Sequence, residues 1–374
     1  MVSRRQFLTS LAAGSVALAH GGLLSSAQAA TPIVPVGKKT ASGHGERYRP
    51  PYQWGLGGVA LGNGFHEATS DAQAMATLQA AWDGGVRYYD TSPFYGYGLS
   101  ERRFGRLLHD KKREEYVLST KVGRVFRAAP KPHDPGQWMQ PDSFEYEYDY
   151  TASGVRRSIE DSLQRLGVSS IDIAFIHDLS PDNKEQGEKW TEYFEVARKG
   201  AMPELTKMRD EGIIKGWGLG VNRLAPILKT LEVADPDVFL AAAVNYQLMD
   251  HEAGVRELLF ACAAKGASLV IGSPLGAGFI TGRDRYLYDK GIPEGYKEKR
   301  ARMQKIAKAY GVDLRTAALQ FAAAPKEVAS VIPGARTPEQ VKQNIASATV
   351  KIPADFWAEI KAEKLIAAEA PVPA

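Results

Sequence analysis

From about residue 54 onward, apolar and polar positions follow two alternating rhythms. Short, near-continuous apolar runs bounded by glycine predict strands at Trp54–Leu61, Val86–Asp90, Tyr116–Lys121, Ile171–His177, Ile214–Val221, Val238–Tyr246, Ser268–Ser273 and Val328–Ile332. Between them, apolar residues recur at three- and four-residue spacing. That pattern predicts helices at Asp71–Trp82, Ser100–His109, Ser153–Leu166, Glu192–Asp210, Ala225–Val233, Val255–Ala264, a two-part stretch from Lys297 to Phe321, and Pro338–Ala346. Strict alternation implies a parallel sheet covered on both faces. Eight such units over about 300 residues fit a closed (β/α)8 TIM barrel of the α/β class better than an open sheet. A final helix, Ala354–Glu363, is expected on the barrel exterior. The barrel domain then spans 53–365, and the Ala/Pro-rich 366–374 reads as a loose tail.

Two connections exceed what a barrel needs. The stretch 124–150, after the third strand, carries Trp138, Phe144, Tyr146, Tyr148 and Tyr150, and 278–296 follows the seventh. The aromatic content of the first suits either a wall over the site or an inert flap.

The amino terminus has a different character. Ser3-Arg4-Arg5-Gln6-Phe7-Leu8 resembles a twin-arginine export signal, followed by a mildly apolar stretch and Ala27-Gln28-Ala29, a small-x-small cleavage site. Residues 1–30 are therefore expected to be a leader read by the twin-arginine translocation machinery, delivering the protein to the periplasm or beyond. The apolar part is too short and weak for a stable membrane anchor. Residues 31–52, rich in Pro, Gly, Ser, Lys and Arg, read as a linker.

The formal net charge is +4, with Arg4 and Arg5 the only charges in the leader. So small a surplus, without a basic block, argues against a nucleic-acid partner. One cysteine, Cys262, lies in an apolar helical run, which excludes a disulfide framework. The seven histidines show no His-x-His or ligand-spaced carboxylate cluster, so no metal is expected and a metal-dependent hydrolase is disfavoured.

Candidate chemistry sits where strands two, three and four end. Asp90 closes the second and Tyr95 begins the loop beyond it; Lys121 closes the third and His177 the fourth. In a (β/α)8 barrel these carboxyl ends converge on one mouth, and neighbouring strands lie about 4.8 Å apart. Singly, each has a dull structural explanation. Together they are the parts of a tuned proton donor. Gly55-Leu56-Gly57-Gly58 superficially suggests a dinucleotide fingerprint but lacks the acidic residue about 20 positions on, so these read as structural glycines.

Asp90-Thr91-Ser92 with Tyr95-Gly96 and Ser100-Glu101, then Ser119-Thr120-Lys121-Val122-Gly123, Ile176-His177-Asp178, Gly218-Leu219-Gly220-Val221-Asn222, Ser273-Pro274-Leu275-Gly276 and Val331-Ile332-Pro333-Gly334 together resemble the aldo-keto reductase family. The likeness runs in order from about Trp54 to Ala346 and looks closest to the branch of D-threo-aldose (L-fucose) and pyridoxal dehydrogenases. The resemblance implies NAD(P)-dependent interconversion of an aldehyde, ketone or aldose with an alcohol or lactol. Tyr95 would be general acid or base, its acidity raised by Lys121. Asp90 would hold that ammonium, and His177 would donate to the substrate oxygen.

By the same resemblance, Asp178 and Asn222 lie near the nicotinamide, Ser273, Leu275 and Gly276 along the pyrophosphate, and Gly334, Arg336, Gln340 and Asn344 at the adenosine end. Trp54, Phe94 and Trp138 would touch substrate. The chain departs from many members at Ala243, where a Gln is usual, and at Gly272, where an aromatic ring stacks on nicotinamide. It also has Gly334 and Gln340 where NADPH users carry a basic pair, which leans the expectation toward NAD over NADP. A cofactor-binding sensor or regulatory protein with little turnover is the alternative reading.

Overall fold

The computed structural model describes residues 47–65, 67–129, 136–242, 246–288 and 291–373. Among the described residues ten strands form, β1 (Leu56–Gly57), β2 (Tyr88–Asp90), β3 (Val117–Val122), β4 (Arg124–Ala128), β5 (Phe144–Tyr148), β6 (Ile173–His177), β7 (Gly216–Val221), β8 (Val238–Ala241), β9 (Ser268–Gly272) and β10 (Val328–Ile332). All except β4 and β5 belong to one eight-stranded parallel sheet, ordered β1-β2-β3-β6-β7-β8-β9-β10. Parallel bridges Trp54↔Val331 and Gly57↔Gly334 join its edges, so the sheet closes into the expected barrel.

The helices are α1 (Asp71–Asp83), α2 (Leu99–Leu108), α3 (Ala152–Leu166), α4 (Trp190–Lys199), α5 (Ala201–Asp210), α6 (Leu224–Val233), α7 (Leu259–Lys265), α8 (Tyr296–Ala309), α9 (Leu314–Ala323), α10 (Pro338–Ala346) and α11 (Ala354–Ala362). Their starts are written in the sequence. Ser70, Thr151, Asp313 and Thr337 each accept a hydrogen bond from a backbone N–H of the first turn, a cap worth about 1 kcal/mol. None is long and apolar enough to cross a membrane among the described residues.

Alternation along each strand sorts the core into two layers. Tyr88, Val117, Ile173, Phe175, Val238, Leu240, Val270 and Ile332 point into the barrel and pack together. The intervening positions, Tyr89, Leu118, Ala174, Ile176, Trp217, Leu219 and Phe239 among them, join the larger core beneath the helices. The inward sites of β7 are Gly216, Gly218 and Gly220, which leaves room beside the neighbouring inward side chains.

Several expectations are corrected. The run Trp54–Leu61 yields only a two-residue strand, because Ala60–Gly62 turns into a 3-10 helix. Gly200 divides Glu192–Asp210 into α4 and α5. The Val255–Ala264 helix opens with a π-helical turn at Gly254–Leu258. The stretch 124–150 is not a bare loop, because β4 and β5 pair antiparallel within it. Gly123, at φ +107, makes the turn out of β3, and a Cβ there would lie 2.3 Å from the Tyr150 ring. The end of the expected linker is part of the fold. Tyr48 N–H donates to Asp237 Oδ1 at 3.0 Å, Arg49 donates to the carbonyls of Lys326, Glu327 and Val328, and Arg47 pairs with Asp235. These partners precede strands, so residues 47–52 cross the barrel floor. The tail is seated too, with Leu365, Ile366 and Ala370 buried and the Ala367 N–H donating to His251 Nε2 at 2.9 Å. The expected leader, 1–30, lies outside the described residues.

Candidate active site

The register of β2, β3 and β6 brings three expected residues to one mouth. Asp90 pairs in register with Ser119, and Lys121 with Phe175, so Asp90, Lys121 and His177 rise stepwise on adjacent strands. Lys121 Nζ donates to Asp90 Oδ2 at 2.9 Å and to the Thr91 carbonyl at 2.8 Å, and Ser119 Oγ donates to Asp90 Oδ1 at 2.6 Å. The pair is almost sealed, with side-chain exposures of 1% and 3%. Burial pushes the Asp90 carboxyl upward, while the Lys121 ammonium and the Ser119 hydroxyl pull it back.

Tyr95 stands just past β2 in a turn whose backbone is held by Tyr95 N–H donating to Ser92 O at 3.1 Å. Its ring centroid lies 4.5 Å from Lys121 Nζ and 5.9 Å from that of His177. The tetrad therefore converges. Its electrostatics differ from expectation. The Tyr95 phenol is held well above its ordinary value near 10, first by burial, then by the Asp90 carboxylate, Tyr288 and Asp178, with Arg124 opposing. Burial outweighs the pull of the Lys121 ammonium, which is paired with Asp90. His177 is driven the other way, well below 6.5, by burial and by the Arg124 and Lys121 cations, so its imidazole is neutral.

Two cavities meet over these residues. The first runs along the carboxyl ends of β9 and β10 and is lined by Ser273, Leu275, Gly334, Arg336, Gln340 and Asn344. Six of the expected cofactor residues thus fall together. Gly276 does not line it; its neighbours Ala277 and Gly278 do, because Gly276 folds inward to donate to Ser273 O at 2.9 Å. The second cavity is walled by Phe94, Trp138, His177 and Tyr288, with Asp178 and Asn222 also on this side. Tyr95, Phe65, Leu240, Ala242 and Tyr288 line both, which marks the junction.

Trp54 is at neither cavity. It precedes β1, and the start of a barrel strand faces away from the mouth, so its indole packs beside Ala81, Val86 and Val341. Gly55-Leu56-Gly57-Gly58 is structural, as a Cβ on Gly58 would come 2.7 Å from the Asp90 carbonyl. Ala243 lies outside the described residues.

Three functional side chains escaped the sequence reading. Arg124 opens β4 and touches His177, Asp178 and Tyr148. Its signal was the Phe-Glu-Tyr-Glu-Tyr alternation of 144–148, a half-buried strand that needs a partner. Tyr288 hangs from the loop after β9 with its hydroxyl 3.2 Å from Ser273 Oγ, bringing a ring to the junction although Gly272 supplies none. Arg283 joins Arg336 and Arg315 along the first cavity, close enough to Arg336 that the two cations oppose each other.

The first cavity fits a dinucleotide. Gly334 leaves its surroundings open, the capped start of α10 offers backbone N–H groups, and Arg336 Nε is buried without a hydrogen-bond partner. A barrel whose mouth joins an anion-seeking cleft to a pocket with a buried phenol, ammonium and imidazole defines a nicotinamide-dependent oxidoreductase. Comparison with known proteins names the family. Residues 54–364 match the Aldo/keto reductase family, and the chain belongs to it.

The chain is 36% identical over 322 residues to D-threo-aldose 1-dehydrogenase of a Pseudomonas species, covering 83% of this chain and 94% of that one. It is equally 36% identical over 327 residues to pyridoxal 4-dehydrogenase of Microbacterium luteolum, with the same coverages of 83% and 94%. Among solved structures, an aldo-keto reductase of Bacillus halodurans in its holo form superposes with TM-score 0.65 at 20% identity, covering 90% of this chain and 97% of that one. A Klebsiella pneumoniae aldo/keto reductase in complex with NADP and acetate gives TM-score 0.61 at 21% identity, with coverages of 90% and 97%. These two establish the fold. The protein is an NAD(P)-dependent enzyme interconverting a carbonyl and an alcohol.

Proposed function

We propose that this enzyme acts on a small hydroxylated aldehyde, an aldose or its lactol foremost, through Tyr95. The observation that carries the reading is the meeting of Tyr95 and His177, ring centroids 5.9 Å apart, above the Lys121–Asp90 pair and beside a polar cavity. Ser273, Leu275, Gly334 and Arg336 would hold a nicotinamide dinucleotide along the first cavity, where it would supply or take up the hydride. Tyr95, kept as a neutral phenol by burial, holds the proton that a carbonyl oxygen needs on reduction. His177 donates from Nε2 to the same oxygen and fixes it near the phenol. Lys121, oriented by Asp90, supports the negative charge left on the phenolic oxygen after proton transfer.

The cavity's carboxylates, Asp178, Asp182 and Glu185, suit hydroxyl-rich substrates, while Phe94 and Trp138 supply an apolar wall. Printed names of the relatives, an aldose dehydrogenase and a pyridoxal dehydrogenase, support the same substrate range. For the cofactor, Arg283, Arg315 and Arg336 put three guanidinium groups along the adenosine end, which favours a 2′-phosphate and revises the lean toward NAD. We also propose that residues 1–30 direct twin-arginine export of the folded protein with its cofactor aboard. Assaying sugars and aldehydes in both directions with NAD and NADP, native chain against Tyr95→Phe, tests the function. Unimpaired turnover by the variant would sink it.

A further inference from the structure

We propose that Arg124 is a positioning residue for catalysis, fixing His177 in the tautomer that carries its proton on Nε2. The inference rests on the reading of His177 as donor to the substrate oxygen. Arg124 follows the Gly123 turn directly, so the end of β3 delivers it across the mouth to β6. Its Nη1 lies 3.2 Å from His177 Nδ1, and its Nη2 lies 3.0 Å from both Asp178 Oδ2 and the Tyr148 hydroxyl. The guanidinium is 5% exposed and stacks 4.1 Å from the centroid of Phe94 and 4.9 Å from that of Tyr148.

A guanidinium has only donors and does not deprotonate in proteins. A nitrogen approached by it must therefore offer a lone pair, which assigns Nδ1 as acceptor and leaves the proton on Nε2. Ser92 agrees. Its Oγ is 3.3 Å from the same Nδ1 and already accepts from Phe94 N–H at 3.1 Å, so its own hydrogen is free to point at the ring. The Nε2 edge is the one near Asp178 Oδ1, at 3.5 Å, in the wall of the substrate cavity. Both ends of the Arg124 fork reach protein groups, while its Nε is buried without a partner.

The tautomer matters because the opposite one would aim a lone pair at the substrate oxygen. In serine proteases, a wrong histidine tautomer costs about 10⁴ in turnover. Here Ser92 remains as a second, weaker guide, so the expected loss is smaller.

The groups facing the imidazole are Ser92, Phe94 and Tyr95 from the β2 loop, Lys121 from β3, Arg124 from β4, and Asp178 beyond β6. In Arg124→Met the ring loses a cationic neighbour and its guide. At alkaline pH it then divides between two neutral tautomers. Burial and Lys121 still hold the imidazole's value down, so the two neutral tautomers persist across the neutral range.

The test combines spectroscopy with kinetics. Long-range proton–nitrogen correlation spectra of the ¹⁵N-histidine-labelled, full-length native protein should show His177 with Nε2 protonated and Nδ1 bare. Arg124→Met should lose about 10–10² in kcat for carbonyl reduction at pH 8, with KM changed far less, and its His177 should show both neutral tautomers in the same spectra. Arg124→Lys, which retains a donor-only cation, should recover most of the loss. A native His177 protonated on Nδ1, a Met variant with undiminished kcat, or a Met variant whose His177 stays wholly protonated on Nε2 would overturn the proposal. Full activity in His177→Leu, which has no donor, would instead sink the donor reading, while the spectrum would still stand or fall separately.

Discussion

Lys121 Nζ sits 4.5 Å from the centre of the Tyr95 ring, yet its hydrogen bonds go to Asp90 and the Thr91 carbonyl. The ammonium is matched by a carboxylate of opposite sign, which is why burial governs the phenol. Tyr95 keeps its proton across the neutral range and is ready to give it. Replacing the ring hydroxyl by hydrogen in Tyr95→Phe should lower kcat for reduction by about 10²–10⁴. Cofactor affinity, measured by fluorescence titration, should change little, because the phenol is only one edge of that cavity.

Lys121→Met leaves the Asp90 carboxylate buried and unpaired. Loss of one partner of a buried pair costs about 3–5 kcal/mol. Asp90 then rises further above its ordinary value, the folded state holds a proton that the unfolded state has lost, and stability falls as pH rises. Urea unfolding at pH 5 and pH 8 measures this, and adding Asp90→Asn should recover much of the deficit. Equal destabilisation at both pH values would contradict the argument.

His177 is buried neutral, with its folded value well below 6.5. Above about pH 6.5 neither state is protonated and nothing is lost. As pH falls below it, the unfolded chain takes up a proton that the folded ring refuses, so stability is lost toward acid. His177→Gln should flatten that part of the Tm–pH curve between pH 7 and pH 5. A native curve level across this window would contradict the depressed value.

Arg336 carries a buried Nε without a partner beside Arg283. A hydrogen bond between charged groups is worth about 1.5–3 kcal/mol. Arg336→Ala should therefore raise KM for NADP by about 10–150-fold and KM for NAD much less. An equal rise for both would place Arg336 on a phosphate common to the two.

Protein recovered from the exported fraction should release nicotinamide dinucleotide on acid denaturation, detected by chromatography at close to one equivalent per chain. Exported protein free of nucleotide would count against folded, cofactor-loaded export.

The barrel was legible because its strands are short, apolar and glycine-bounded, and helices with clear periodicity separate them. Asp90, Lys121 and His177 were legible for the same reason, since a strand's last inward residue must face the mouth. Arg124 and Tyr288 were not, because each hangs from a long connection whose path depends on packing far along the chain. Arg124 reaches His177 only because Phe144, Tyr146 and Tyr148 pair opposite Ala128, Phe126 and Arg124. Trp54 failed for a simpler reason. Its chemistry suited a substrate wall, but its place before β1 sends it to the wrong end of the barrel. The expected rise in Tyr95 acidity failed because a local pair was read as a charge acting alone, without the carboxylate that balances it and the burial that opposes it.

The strap of residues 47–52 has a consequence for traffic. Its anchors, Asp235, Asp237 and the carbonyls before β10, all lie at the pole opposite the reaction chamber. Cofactor and substrate therefore come and go at the mouth without disturbing the strap, which fastens only the underside of the molecule.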